Sequence, residues 1–210
     1  MCGILFTNID KINKHKFIES LNLMSYRGPD SQGYYENPTV KLGHNRLKIQ
    51  DLDDRSNQPF FSRNGRYVCI FNGEIYNYKE LAKAHGIDLR TTCDTELLIE
   101  LYVLFKEAML KKLNGMFAFV IYDTKDNSYF VARDRLGIKP LYIYSSSQGV
   151  AISSEVNALL GIAPTNQIDD IGLRQYKKLR TFFDNRTLYK NISMFPAGHY
   201  FCSGTELSPA

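Results

Sequence analysis

Apolar positions fall into short runs along the chain, and their spacing changes from run to run. Residues 3–7 predict a strand. Phe17, Leu21 and Met24 recur at helical spacing, which predicts a helix over 14–24. Arg27-Gly28-Pro29-Asp30 stops it with a turn. Residues 31–35 and 40–47 predict paired strands bending at Asn37-Pro38, the second leading into a polar loop over 50–57. An apolar strand over 66–71 is expected to end at Asn72-Gly73-Glu74. Helices follow over 78–85 and 94–107, the second with Leu97, Leu101 and Leu104 on one face and Leu98 and Phe105 beside it. Residues 117–123 and 128–133 form a hairpin around Lys125-Asp126-Asn127; strands over 141–145 and 150–153 and a short helix over 155–160 complete the pattern. Strands apolar on both faces need cover on both sides, so sheets pack together with helices outside. After Asn166 the pattern weakens, and the last stretch to Ala210 reads as a cut edge near 205–210 with no closing element.

Composition narrows the function classes. A chain of 210 residues, 44% hydrophobic, can bury one substantial core, so a single domain over 1–210 is expected. The net charge of +4 is mild and its lysines are dispersed, which argues against nucleic acid and membrane surfaces. Cys2, Cys69, Cys93 and Cys202 form no C-x-x-C pair, and the histidines have no metal-ligand spacing, so no metal site is expected. The first residues lack a leader pattern, and the longest apolar run, 116–122, is too short to cross a bilayer. The expected setting is cytoplasmic.

Several residues carry chemistry, each with a structural alternative. Cys2 follows a removable methionine; once freed, it would hold a thiol and an α-amine, a nucleophile beside its own base. It could equally be an ordinary strand residue. Asn72-Gly73 offers a side-chain amide and an unhindered N–H, two donors for a developing oxyanion, or a plain strand-end turn. Arg46 has the planar fork that grips a carboxylate, or is a surface arginine. Asp94 opens a helix as an N-cap or presents a carboxylate to a ligand ammonium, and Glu74 shares that ambiguity. Together they describe a site for a zwitterionic amino acid with a side-chain carbonyl.

Nine blocks in register carry a resemblance: 1–4 (Met-Cys-Gly-Ile), 27–30 (Arg-Gly-Pro-Asp), 44–49, 72–77 (Asn-Gly-Glu-Ile-Tyr-Asn), 93–96, 115–119, 132–142, 153–155 and 195–200. The chain closely resembles the glutaminase domain of glutamine-dependent asparagine synthetases, a class II glutamine amidotransferase. The resemblance implies an α+β fold of N-terminal-nucleophile hydrolase type, a four-layer αββα sandwich of two antiparallel sheets between helical layers. It implies Cys2 as nucleophile, Asn72 and Gly73 as the oxyanion hole, and Arg46 as the clamp on the α-carboxylate of L-glutamine. Glu74 and Asp94 would hold the ammonium, Ile49 and Gln50 would line the pocket through backbone groups, and Arg27 would order the loop closing over glutamine. Block 132–142 is expected to be scaffold and domain contact. No cofactor is implied for glutamine hydrolysis; ATP and magnesium belong to the family's synthetase domain, whose Ser-Gly-Gly-x-Asp-Ser loop is not in this sequence. That domain is the expected partner, with a homodimer as a further candidate. The ammonia acceptor is open between aspartate and another acceptor such as a sugar carboxylate. A catalytically silent glutamine-binding or docking domain is the rival of a different class.

Overall fold

The computed structural model describes residues 1–163 and 167–209. The first half of the chain forms β1 (Gly3–Thr7), α1 (Lys14–Asn22), β2 (Ser31–Glu36), β3 (Lys41–Arg46), β4 (Phe60–Phe61), β5 (Tyr67–Ile75), α2 (Tyr78–Ala84) and α3 (Asp94–Phe105). The second forms β6 (Gly115–Asp123), β7 (Ser128–Arg133), β8 (Tyr142–Ser146), β9 (Gly149–Ser153), α4 (Val156–Ile162), α5 (Asp170–Leu179), β10 (Ile192–Met194), β11 (His199–Cys202) and β12 (Ser208–Pro209). The strands make two six-stranded sheets, ordered β10-β8-β9-β1-β3-β2 and β12-β11-β7-β6-β5-β4, with every pairing antiparallel.

Side-chain alternation builds the layers. On β1, Ile4 and Phe6 face Val68, Ile70, Val120 and Val131 of the other sheet. Leu5, one position off, packs outward on Phe17 and Leu21 of α1 and Leu159 of α4. On β5 and β6, Cys69, Phe71, Phe117, Phe119 and Ile121 point the other way, onto Leu97, Leu98 and Leu101 of α3. The result is helix, sheet, sheet, helix, the expected four-layer sandwich.

Three expectations change. β5 does not stop at residue 71 but runs on through Asn72, Gly73 and Glu74, because β6 supplies a partner for each, Ala118, Phe117 and Met116. Leu104 is exposed rather than on the apolar face, since α3 ends at Phe105 and passes into a 3-10 turn, Lys106–Lys112. The weakly patterned stretch after 166 is structured where described: α5 precedes β10 and β11, which add to β8 and β7. Short edge strands take their stability from the neighbour they pair with, so their own periodicity is slight.

The connection after β7 is fixed by one buried carboxylate. Asp134, 1% exposed, accepts from the N–H groups of Phe117, Leu136, Ile138 and Lys139 at 2.9–3.2 Å. Arg133 closes the same turn by donating to the carbonyls of Gly137, Lys139 and Phe195. Asp134→Ala would leave several buried donors unmade and should lower unfolding free energy by on the order of 3 kcal/mol in urea titration. A loss below about 1 kcal/mol, the scale of one ordinary hydrogen bond, would contradict this account of the turn.

Candidate active site

The layer between the sheets is apolar through most of its depth and polar at one end. Alternation again decides which residues meet there. Val68 and Ile70 face the opposite sheet, so Asn72 and Glu74 on the same strand face it too. Leu42 does the same on β3, and His44 and Arg46 continue its face. Cys2 shares the parity of Ile4 and Phe6. A cavity of about 90 Å³ opens among these residues, walled by Cys2, Arg46, Asn72, Gly73, Glu74 and Asp94. Ile49, Gln50, Gln58, Met116, Lys139 and Met1 complete its rim and floor, with Leu47, Phe71, Cys93 and Thr95. Every residue assigned a site role from the sequence lines it except Arg27.

Cys2 is anchored on three sides. Its Sγ lies 3.4 Å from the Leu47 N–H, its carbonyl accepts from Arg27 Nε at 3.0 Å, and Ile4 is held by both the N–H and the hydroxyl of Ser154. Arg27 is in turn paired with Glu155 at 2.5 Å. It thus lies behind Cys2 and does not line the cavity. Burial pushes the Cys2 thiol above its ordinary value; the Leu47 N–H, the chain's amine and Arg46 oppose this, while Asp94 adds to it.

The edge of β5 supplies the donors. In an antiparallel ladder, alternate residues turn their N–H groups away from the partner strand. Phe71 and Ile75 turn away from β6, donating instead to Gln58 Oε1 at 2.6 Å and Asp94 Oδ2 at 2.8 Å. Gly73 lies between them with the same parity, so its N–H points out of the sheet at the cavity. A Cβ at Gly73 would overlap the Met116 carbonyl and the Phe71 ring, so only glycine fits. Asn72 is 1% exposed, and its Nδ2 has no hydrogen-bond partner among the described residues. A buried, unpaired donor is costly unless something arrives to use it. His44 steadies this strand: its Nε2 lies 3.1 Å from the Phe71 carbonyl, and burial holds the ring neutral, down to about 3.

The charged residues differ in how free they are. Arg46 is 3% exposed, and its two terminal nitrogens donate to the carbonyls of Gln50, Asp51 and Asp53 and to Asn57 Oδ1. The open fork expected of Arg46 is therefore folded into the 50–57 loop. Gln50 lines the cavity, and its Nε2 donates to Glu74 Oε1 at 3.2 Å. Asp94 is the first residue of α3, and its carboxylate accepts from Ile75 on β5 instead of capping its own helix. Burial, and the nearby Glu74, raise Asp94 to about 6 against the pull of the Ile75 N–H and Cys93. Among the described residues no group of three His, Cys, Asp or Glu is placed to hold a metal ion.

Sequence reasoning missed Lys139, Gln58 and His44. Lys139 sits in a block read as scaffold, and nothing in its neighbours Ile138 and Pro140 marks it as turned inward. Gln58 joins β5 to α3, accepting from Phe71 and donating to Thr95 Oγ1.

Residues 1–207 match the family described as a glutamine amidotransferase domain. The chain is 36% identical to glutamine-hydrolyzing asparagine synthetase 1 of Bacillus subtilis, over 96% of this chain and 33% of that protein. It is 36% identical to asparagine synthetase B of Escherichia coli, over 78% of this chain and 30% of that protein. It thus spans about a third of the length of these relatives. The glutamine phosphoribosylpyrophosphate amidotransferase of B. subtilis shares the fold, with a TM-score of 0.74 at 17% identity, covering 99% of this chain and 49% of that one. With a family match across nearly its whole length, the chain belongs to the glutamine amidotransferase domain family.

Proposed function

We propose that this chain hydrolyses L-glutamine to glutamate and ammonia, with Cys2 as nucleophile after loss of Met1. The observation that carries the proposal is the buried, unpartnered Nδ2 of Asn72 in the cavity that Cys2 enters. With the Gly73 N–H beside it, this donor is preorganised for the negative oxygen that forms when sulfur adds to the side-chain amide carbon. The thiol proton passes to the Cys2 α-amine and leaves on the departing nitrogen as ammonia. Water then enters the γ-glutamyl thioester, releasing glutamate and restoring the thiol. No metal or cofactor is assigned to these steps.

At the far end of the substrate, Asp94 and Glu74 take the α-ammonium. Arg46 takes the α-carboxylate by exchanging loop carbonyls for the ligand's oxygens. We further propose that ammonia is used by an ATP- and magnesium-dependent synthetase domain, with aspartate as acceptor. The support is the similarity to asparagine synthetases about three times as long.

Cys2→Ala should abolish glutamate release while the circular dichroism spectrum and melting curve stay unchanged. Protein shown by intact mass to retain Met1 should fall nearly as far, because its Cys2 nitrogen is an amide and Met1 itself lines the cavity. Turnover by either protein at the unaltered rate would exclude the N-terminal mechanism.

Asn72→Ala should lower kcat by about 10²–10³ with a modest change in KM, since its donor meets charge that exists only in the transition state. An unchanged kcat would make Asn72 a strand residue and nothing more.

Asp94 gives a test in which function and stability move in opposite directions. Its folded value of about 6 lies above the ordinary aspartate value, so folding favours the protonated form. The stability it contributes falls as pH rises toward 6 and is lost above it. At pH 8, Asp94→Asn should therefore raise stability by on the order of 1–3 kcal/mol, the scale of a one- to two-unit shift, while glutamine KM rises steeply. In the unaltered protein kcat/KM should fall as pH drops through about 6, when the free enzyme's Asp94 protonates. An Asn variant that is less stable at pH 8 with normal KM would restore the helix-capping role.

A further inference from the structure

The Cys2 cavity holds a cation to which the reading above gives no role. Lys139 is 6% exposed and lines the cavity. Both its backbone groups are fixed: its N–H donates to Asp134 at 3.0 Å, and its carbonyl accepts from Arg133 Nε at 2.7 Å. Its side chain runs from this pinned backbone to the cavity wall. There Nζ makes no hydrogen bond or ion pair with any described residue. Of the neighbouring buried arginines, Arg46 and Arg133 donate to backbone carbonyls and Asn57, while Arg27 holds Cys2 and Glu155 but leaves its buried Nη2 without a hydrogen-bond partner among the described residues. Among these four cations only Lys139 has its whole charged group without a hydrogen bond or ion pair among the described residues.

An ammonium on a largely buried side chain, with no partner of its own, gains from an anion that appears beside it. The reaction creates one. When the thiol gives up its proton, the sulfur becomes negative inside a cavity whose burial opposes that charge. The Cys2 amine must be neutral to accept the proton, so it cannot be the cation already in place. Arg46 also favours the thiolate, from a guanidinium held on loop carbonyls and Asn57, so a second cation would add to its effect. We propose that Lys139 is a catalytic cation of this site, its ammonium set to favour the Cys2 thiolate before and during attack. The proposal rests on the glutaminase reading for its place in the reaction. Lys139 keeps its own protons throughout: the thiol proton goes to the amine, the sulfur pair forms the S–C bond, and the C–N pair leaves with nitrogen.

The charges around both groups fit this role. Lys139 feels Cys2, Glu74 and Asp134 as attractions and Arg27 as a repulsion, and burial lowers its own proton affinity. Glu74 is shared with Gln50 Nε2, and Asp134 spends its oxygens on backbone N–H groups. The Cys2 sulfur is faced by Arg46 from β3, Asp94 from α3, the Leu47 N–H and the amine of Met1.

The test reads the thiol without glutamine. Met1-free protein is alkylated with iodoacetamide across pH 5–10, and the rate at Cys2 is followed by mass spectrometry of its peptide. Lys139→Met should move the midpoint of the rate–pH curve upward by about one unit, the lower end for losing a nearby opposite charge. The rate near neutral pH should drop about tenfold, following the loss of thiolate over that one-unit shift. Lys139→Gln should do the same in case the methionine variant folds poorly. Lys139→Arg should keep the midpoint near that of the unaltered protein, and kcat for glutamate release should follow the thiol with a smaller change in KM. An unmoved midpoint in folded Lys139→Met or Lys139→Gln overturns the proposal, whatever the turnover. A shifted midpoint in a protein that releases no glutamate supports the role of Lys139 and removes the glutaminase reading instead.

Discussion

A β-strand cannot turn one side chain without turning its neighbours, because successive residues must face opposite sides of the sheet. The site depends on that constraint. Ile4, Leu42, Val68, Ile70 and Val120 commit one parity of four strands to the layer between the sheets. Where that layer reaches its end, the same parity delivers Cys2, His44, Arg46, Asn72, Glu74 and Met116 to one place. The packed core thus sets the aim of the polar residues, and the loops contribute mainly Ile49, Gln50 and Lys139. A one-residue slip between β5 and β6 would turn Asn72 toward the helices and withdraw the Gly73 N–H from the cavity.

Placing these groups at the mouth of a core gives them their chemistry. Partial burial raises the Cys2 thiol and Asp94 and lowers Lys139, each toward its neutral form. Asn72 and Lys139 carry donors with no partner among the described residues. An unmade buried donor is costly; under the proposed chemistry Asn72 gains from a ligand carbonyl oxygen and Lys139 from negative charge on the Cys2 sulfur. Stability is recovered behind the site: Asp134 and Arg133 lock the turn that carries Lys139, and Ser154 and Glu155 hold the strand that carries Cys2. Function and rigidity occupy adjacent shells of the same fold.

Most elements that repay a local reading were legible in the sequence. β1 to β3, the β6–β7 hairpin and α1 to α4 follow from apolar spacing and turn residues, and Cys2 stood out by its position. What could not be read had a tertiary cause. Asn-Gly has strong turn chemistry, and only pairing with β6 keeps Asn72-Gly73 extended. Asp94 has the look of a helix cap, but Ile75, 19 residues away, supplies the N–H it takes. Arg46 carries a fork fit for a carboxylate, yet the carbonyls of a loop that leaves the sheet occupy it. Lys139 was hidden because a lysine between Ile138 and Pro140 gives no sign of which way it turns. β10 to β12 are too short for any period to show.

The central claim is that this one cavity recognises glutamine and presents it to Cys2. Covalent labelling with a diazoketone analogue of glutamine tests both halves at once. Met1-free protein should take up one adduct per chain, mapped to Cys2 by peptide mass spectrometry, and excess L-glutamine should suppress it. Labelling spread among Cys69, Cys93 and Cys202, or labelling of Cys2 that L-glutamine leaves untouched, would contradict the account.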